Sequence, residues 1–401
     1  MENTAQDSRG DVSLEVVQAV AGVFHHFDLA RELEGRGSLK CIYSTFPWKR
    51  LRREGIALEK VRTFPWVHTP QLLVGRMWGI PAGLNRDITS VMFRTFDHWV
   101  ANTMPSCDVY VALSGSGVLS GRRAQERGAK YICDRGSSHI RYQDRIVGEE
   151  YKRWGIERVI CDPRIIAREE TEYEEADAIV VPSEFARRSF VEMGVPAEKV
   201  YKIPYGVRLE RFRRTGEPMP DRFEVLFVGS VNLRKGVPYL LEGYRQLKHP
   251  RKRLRIVGSV APEFRQILSG LPQEGVEFMG HVPQGQLPAL FSSSHVMVLP
   301  SIEEGLALVQ GQAMACGCPL ISSDHTGGED LFADGVEGFL TPIRSPQAIG
   351  ARLQQLADDA PLRERMSEAA QERVRHIGGW YQYGESWSAF AQSLVGSAPA
   401  S

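Results

Sequence analysis

The chain has no apolar run near the roughly 20 residues that a bilayer-spanning helix needs, and its first residues, MENTAQDSRGDVS, lack the basic-then-apolar order of a signal peptide. A cytoplasmic protein, soluble or peripheral at the inner face of the membrane, is expected. Cysteine is scarce: six are spread over 401 residues, and Cys316 and Cys318 are too close for an ordinary disulfide or a CxxC metal site. A reducing compartment fits that usage. Charge of one sign is absent as well, with 49 Lys plus Arg against 49 Asp plus Glu, which excludes a chain-wide nucleic-acid binder and an acid-rich solvating chain. No GxxxxGK[ST] loop occurs, and no carboxylate cluster suits a divalent metal. What is present is length and apolar content: 401 residues at 42% hydrophobic exceed what one core usually holds, so two domains of roughly 200 residues are expected.

Short β-branched runs alternate with helical patterns, the mark of parallel α/β units. Strands are predicted at 15–22, 39–45, 108–114, 130–136, 178–183 and 200–206. Helices are predicted at 26–37, which ends on a glycine, and at 182–194, which opens on a Ser183 cap and ends on Gly194. A stretch rich in Pro, Gly and Arg (204–223) then reads as a linker, and the pattern restarts with strands at 224–230, 253–259, 276–282, 295–301 and 318–324. Two doubly wound domains follow, with ligands expected at the carboxyl ends of their strands, in a cleft. The tail from Ser345 reads as amphipathic helices, the last (380–394) carrying large aromatics that need a surface to pack on.

Two βα turns stand out for their chemistry. In SIEEGLALVQGQAMACG (301–317) a strand ends, Glu303 and Glu304 precede Gly305, and a helix follows. Free N–H groups at that helix start, unobstructed at Gly305, make an anion site of the kind that holds a diphosphate. A carboxylate there would repel phosphate, so Glu304 suits neutral hydroxyls, as on a sugar. Both glutamates also suit a plainer reading as first-turn residues favoured by the helix dipole. In FVGSVNLRKGVPYLLEGY (227–244), Arg234 and Lys235 precede Gly236 and a helix, and either cation suits phosphate oxygens, as it also suits an exposed basic helix start.

These residues resemble a known family, the retaining GT-B glycosyltransferases of family 4 (group 1), almost without gaps from about Glu224 to Val374 and more loosely over VPSEFARRSFVEMGVPAEKVYKIPYGV (181–207). The resemblance implies an α/β protein of GT-B fold, two Rossmann-like doubly wound domains facing across a cleft. Residues 1–207 would form the acceptor-side domain, 208–223 the linker, 224–375 the nucleotide-sugar domain, and 376–401 a helix crossing back. It implies transfer of a sugar from a nucleotide diphosphate sugar to a glycan or lipid-linked acceptor, with retention, metal-independent and without a cofactor, as in polysaccharide biosynthesis. In relatives the acceptor hydroxyl attacks from the face the nucleotide leaves, the departing phosphate takes the proton, and the protein supplies orientation and charge stabilisation. The family's two glutamates, seven residues between them, fall here on Glu304 and Gln312, and its diphosphate arginine falls on Ser230. Gln312 keeps an acceptor and adds a donor for ribose hydroxyls.

The catalytic residues so implied are Glu304, His139 and Lys235. Donor and acceptor contacts are expected from Ser230, Arg234, Lys235, Gly305, Leu306, Ala307, Leu308, Gln312, His26 and Arg135, with His25 beside His26 in the turn AGVFHHFD (21–28), and Asp134 in CDRGSSHI (133–140). LSGSG (113–117) reads as an acceptor-side loop or as a small-residue start to a helix. WKRLRREGIALEKVRTFPW (48–66) interleaves six basic residues with aromatics and suits either an anionic membrane surface or a solvated basic face. A helix over 91–104 reads as core or as membrane-facing. Rival activities are a nucleotide-sugar epimerase, a phosphorylase, against which the absence of a lysine anchor sequence for pyridoxal phosphate argues, and a non-catalytic nucleotide-sugar or glycan binder suggested by Gln312 and Ser230.

Overall fold

The structure is a computed structural model that describes residues 14–396. Its strands are β1 (Val16–Val20), β2 (Leu39–Ser44), β3 (Val61–Thr63), β4 (Val109–Leu113), β5 (Lys130–Asp134), β6 (Ala178–Val181) and β7 (Val200–Lys202), then β8 (Phe223–Val228), β9 (Lys252–Val257), β10 (Val276–Gly280), β11 (Val296–Leu299), β12 (Leu320–Ser323) and β13 (Gly338–Thr341). One sheet has the order β3-β2-β1-β4-β5-β6-β7 and the other β10-β9-β8-β11-β12-β13. Strand pairing is parallel, as in β1 with β4 and β8 with β11. In each sheet the chain steps outward through three strands and then restarts on the opposite side of the first. The strand order therefore reverses between β1 and β4, and again between β8 and β11. Helices cannot cover the strand ends at such a reversal, which is where open α/β sheets bind ligands.

The central strands of these sheets are buried on both faces, so they read as near-continuous apolar runs. All five residues of β1 and all four of β11 are buried. Helix boundaries follow local chemistry: Ser183 accepts a hydrogen bond from the Ala186 amide and starts Glu184–Glu192, as its position predicts. Residues 204–222 hold neither helix nor strand. Two short strands, β3 and β13, and the helix His68–Met77 were not anticipated.

Contacts group the chain into two compact units, one running to Asp134 with Arg168–Ala178 and the residues from Gly384, the other comprising Arg135–Ala167 and Ile179–Tyr383. In the first unit the helix predicted at 91–104 spans Ala82–Thr103, and Met92, Phe96, Asp97 and Val100 are buried. That part is core. Asp97 accepts from the Leu119 and Ser120 amides at 2.9 Å each and from Ser120 Oγ at 2.6 Å, which ties the helix to the start of the helix Val118–Glu126 that follows β4. In the second unit Arg344 Nε donates to Glu150 Oε2 at 2.6 Å and Tyr239 Oη to Glu150 Oε1 at 2.7 Å, so a fully buried carboxylate joins three elements.

Candidate functional site

The second unit's strand reversal places the turn after β8 beside the turn after β11. Ile302 N donates to Arg234 O at 2.8 Å, which zips the two turns together. Gly236 has φ 67°, and a Cβ there would fall 1.9 Å from the Pro300 carbonyl oxygen, so only glycine allows this approach. Arg234 and Lys235 are thereby held against Glu303 and Glu304.

The two glutamates differ sharply. Glu303 is fully buried. Its Oε1 accepts from Ser137 Oγ at 2.6 Å, Ser138 Oγ at 2.8 Å and Ser138 N at 3.3 Å, and its Oε2 from Gln143 Nε2 at 3.0 Å and Arg234 Nη1 at 3.2 Å. Burial alone would raise its carboxyl pKa, but Arg234, the two serines and Arg135 outweigh it and hold the group below its ordinary value. Glu304 keeps a partly open face: its Oε1 pairs with Lys235 Nζ, and Arg234 Nη2 lies 3.4 Å away. Its amide donates to His325 O at 2.9 Å. Glu304 first, and Glu303 after it, raise the Arg234 pKa above its ordinary value, outweighing burial, which alone would lower it.

The following helix begins only at Leu308 and runs to Ala315, with no acidic residue in its first turn. The first-turn reading of Glu303 and Glu304 is therefore corrected: both lie in the extended turn before it, and side-chain ion pairs rather than the helix dipole fix them. Gly305 is required for a further reason. A Cβ there would sit 2.1 Å from the Gly136 carbonyl oxygen. Ala307 occupies the N-cap position, Leu306 and Ala307 are buried, Leu308 is 40% exposed, and Gln312 is half-buried one turn into the helix. Ser230 is exposed at the start of the turn that follows β8.

Arg135 joins this cluster. Its Nε donates to Ser138 O at 3.0 Å and its Nη2 to Gln143 Oε1 at 2.7 Å. Glu304, Arg234, Lys235, Gly305 and Arg135 are thus brought together from positions up to 170 residues apart. His139 is placed otherwise: it is buried, caps the helix Ile140–Arg153 by accepting from Arg141 N at 3.2 Å, and lies edge-on to Phe190 at 5.0 Å. Sequence reasoning missed Glu303 as the centre of the hydrogen bonds, its partners Ser137, Ser138 and Gln143, and also His325, whose Nδ1 lies 3.0 Å from Ile302 O. The run Gly136-Ser137-Ser138 after a strand was the available signal, since small hydroxyl residues there suit a buried acceptor.

His26 lies in the first unit and is fully buried. Burial, against Asp134 and with His25, lowers its pKa to about 3, so it is neutral. His25 Nε2 lies 2.8 Å from Asp134 Oδ2, and the three side chains are a cluster with metal-ligand chemistry among the described residues. The LSGSG loop is closed by a carboxylate: Glu172 accepts from the Gly115 and Gly117 amides at 2.5 Å each. Burial, outweighing Arg168 and those amides, raises the Glu172 pKa to about 8.

The family model described as glycosyl transferases group 1 matches residues 210–373. Those residues form a glycosyl transferases group 1 domain. It contains the cationic turn after β8, both glutamates and Gln312. The chain is 31% identical over 195 residues to an alpha-D-kanosaminyltransferase of Streptomyces kanamyceticus, covering 44% of this chain and 50% of that one. It is 30% identical over 258 residues to a D-inositol 3-phosphate glycosyltransferase of Streptomyces bingchenggensis, covering 58% and 52%. The chain spans about half the length of these curated relatives. Among solved structures it is similar to sucrose-phosphate synthase from Thermosynechococcus elongatus, with TM-score 0.70, 20% identity and coverage of 95% and 99%. HepE of Anabaena in complex with UDP and glucose gives TM-score 0.67, 15% identity and coverage of 95% and 100%. The fold of this chain, two parallel Rossmann-like sheets of which the second lies in the group 1 domain, is GT-B.

Proposed function

We propose that the chain is a retaining, family 4 glycosyltransferase that moves a sugar from a nucleotide diphosphate sugar to a glycan or lipid-linked acceptor. The observation that carries this reading is the gathering of Lys235 and Arg234 by Glu304 and Glu303 at the strand reversal of the group 1 domain. With Arg135 nearby, three cations stand against two carboxylates, so the site is suited to a dianionic diphosphate. Lys235 has three ammonium hydrogens, of which Glu304 takes one, and the others are suited to phosphate oxygens. Buried Glu303 fixes the Arg234 fork without facing the ligand.

In the transfer, the bond from the anomeric carbon to the phosphate oxygen breaks while the acceptor oxygen bonds to that carbon from the same face. The acceptor hydroxyl's proton passes to the leaving diphosphate. No protein nucleophile is needed. Lys235 and Arg234 stabilise charge growing on the leaving group, and Glu304 is placed to bind a donor hydroxyl or to face the positive charge growing on the sugar ring. Gln312 holds the ribose.

The test is turnover of a panel of nucleotide sugars with glycan and lipid-linked acceptors, wild type against Glu304→Gln. A glycosidic product with the donor's anomeric configuration is expected. The variant should turn over at least about tenfold more slowly, corresponding to the loss of about 1.4 kcal/mol or more in the transition state, while nucleoside diphosphate affinity stays within a few-fold. Near-normal turnover overturns the role of Glu304. Nucleotide binding without any product would indicate a binder, and nucleotide chemistry without a new glycosidic bond an epimerase or a hydrolase.

A further inference from the structure

The first unit carries a helix with little burial. His68–Met77 is ten residues long and has no buried residue. An isolated helix of that length is marginal in water, because helices in proteins are held chiefly by burying one face. Around it the chain shows its apolar side to solvent: Trp66 is 76% exposed, Leu73 57%, Met77 64%, Trp78 76% and Leu84 53%. With Leu72, Val74 and Val91, eight of the nineteen exposed large hydrophobic residues among the described ones fall within 66–91. Single exposed apolar residues need no explanation, whereas such a concentration marks an interaction surface.

The surface is organised. Thr45 Oγ1 lies 2.6 Å from His68 Nδ1, Phe46 stacks on His68 at 5.0 Å, and Gln71 Nε2 donates to Asn85 Oδ1 at 2.9 Å and Thr89 Oγ1 at 2.8 Å. These bonds hold the helix beside the first turns of Ala82–Thr103. Between them runs a groove of about 340 Å³ lined by Trp66, Pro70, Val74, Ile80 and Leu84, among others.

Charge selects the occupant. Within 66–91 the ionisable residues other than His68 are Arg76, Arg86 and Asp87. The preceding segment exposes Lys49, Arg50, Arg52, Arg53 and Arg62, and its start adjoins the Phe46–His68 stack. A second copy of the chain docked through the same face would set these cations against their own kind. An anionic bilayer complements them. Ten helical residues span only about 15 Å, half the hydrocarbon thickness, so the helix lies in the interface rather than across it. Trp66 and Trp78 bracket it, and indoles favour the headgroup level, where one end is apolar and the other wet.

We propose that residues 66–91, with the basic segment 49–62 beside them, dock the protein on a membrane containing anionic phospholipid. The inference stands on the first unit alone and does not rest on the sugar-transfer reading. Co-sedimentation of the full chain with vesicles of phosphatidylcholine, with and without phosphatidylglycerol, tests it. Binding is expected only where phosphatidylglycerol is present, with a blue shift of tryptophan emission. Leu73→Glu with Met77→Glu should weaken it tenfold or more, and Lys49→Ser with Arg52→Ser and Arg53→Ser should remove the preference for the anionic lipid. Melting temperature and nucleoside diphosphate affinity should be unchanged in both variants, since all five side chains are exposed. Absence of vesicle binding, or binding that neither variant alters, overturns the proposal. So does a dimer in light scattering that the Leu73 and Met77 changes dissolve, which would assign the face to a second copy.

Discussion

Replacing Glu303 by glutamine tests whether that carboxylate builds the site. It accepts five hydrogen bonds within 3.3 Å, from Ser137, Ser138 twice, Gln143 and Arg234. An amide of the same shape offers one acceptor oxygen. Its NH2 group must face either Arg234 and Gln143, both donors, or the serines, whose hydroxyls can turn but whose Ser138 amide cannot. One buried donor at least is left without a partner, and Arg234 loses one of its two anions. Hydrogen bonds to charged groups contribute about 1.5–3 kcal/mol each, and breaking a buried pair costs about 3–5 kcal/mol. Relaxation of the serines offsets part of this, so a loss of about 3 kcal/mol is expected. For a unit of this size, a fall in melting temperature of roughly 6–12 °C follows. The sign of the pH dependence is fixed as well. The folded pKa of Glu303 is depressed, so its stabilisation is fully present above its ordinary value of 4.5 and is lost as pH falls through the lower folded value. Calorimetry of wild type and variant between neutral pH and pH values below 4.5 should show the gap closing on the acid side. A neutral-pH melting temperature within a degree of wild type would refute the reasoning.

Lys235→Ala should weaken nucleoside diphosphate binding by about 1.5–3 kcal/mol and leave nucleoside binding nearly unchanged, by titration calorimetry. Gly305→Ala should lower thermal stability, because the clash at 2.1 Å is with the Gly136 backbone and no side chain can yield. Gln312→Glu should keep or modestly raise donor affinity without altering the product's configuration; complete loss of nucleotide binding would mean that the amide is required. Glu172, with a pKa raised to about 8 from 4.5, binds its proton more tightly folded than unfolded, so its contribution makes stability fall as pH rises from 4.5 to about 8, and flat stability over that range would refute it.

Most of the fold was legible because its strands are short, apolar on both faces and separated by helical periods. The eleven strands expected were found, trimmed at their carboxyl ends where the chain bends into turns. β3 and β13 escaped notice for a physical reason: they are edge strands of three and four residues, and β13 opens on a glycine, so neither builds an apolar run. The helix His68–Met77 escaped for the opposite reason. Its apolar residues face solvent, and a pattern argument that assumes burial has no place for it.

The site was legible wherever it lay in a βα turn of the group 1 domain and illegible wherever it depended on distant chain. Arg234, Lys235, Glu304 and Gly305 could be picked out because glycine, charge and a following helix coincide locally. Glu303 could not be told from Glu304, since adjacent residues in an extended turn point to opposite sides and only tertiary structure decides which side is interior. Ser137 and Ser138, 165 residues or more from Glu303 in sequence, make that decision. They also reverse the reasoning about charge. A carboxylate beside a phosphate site is costly only while its charge faces the phosphate, and Glu303 spends its charge on serines, Gln143 and the far side of the Arg234 fork. What faces outward is Glu304, paired with a lysine and the same arginine. The pair of acids is thus one structural anion that positions a cation and one partly open anion whose cations are suited to a ligand, a division of labour that requires the two residues to be neighbours.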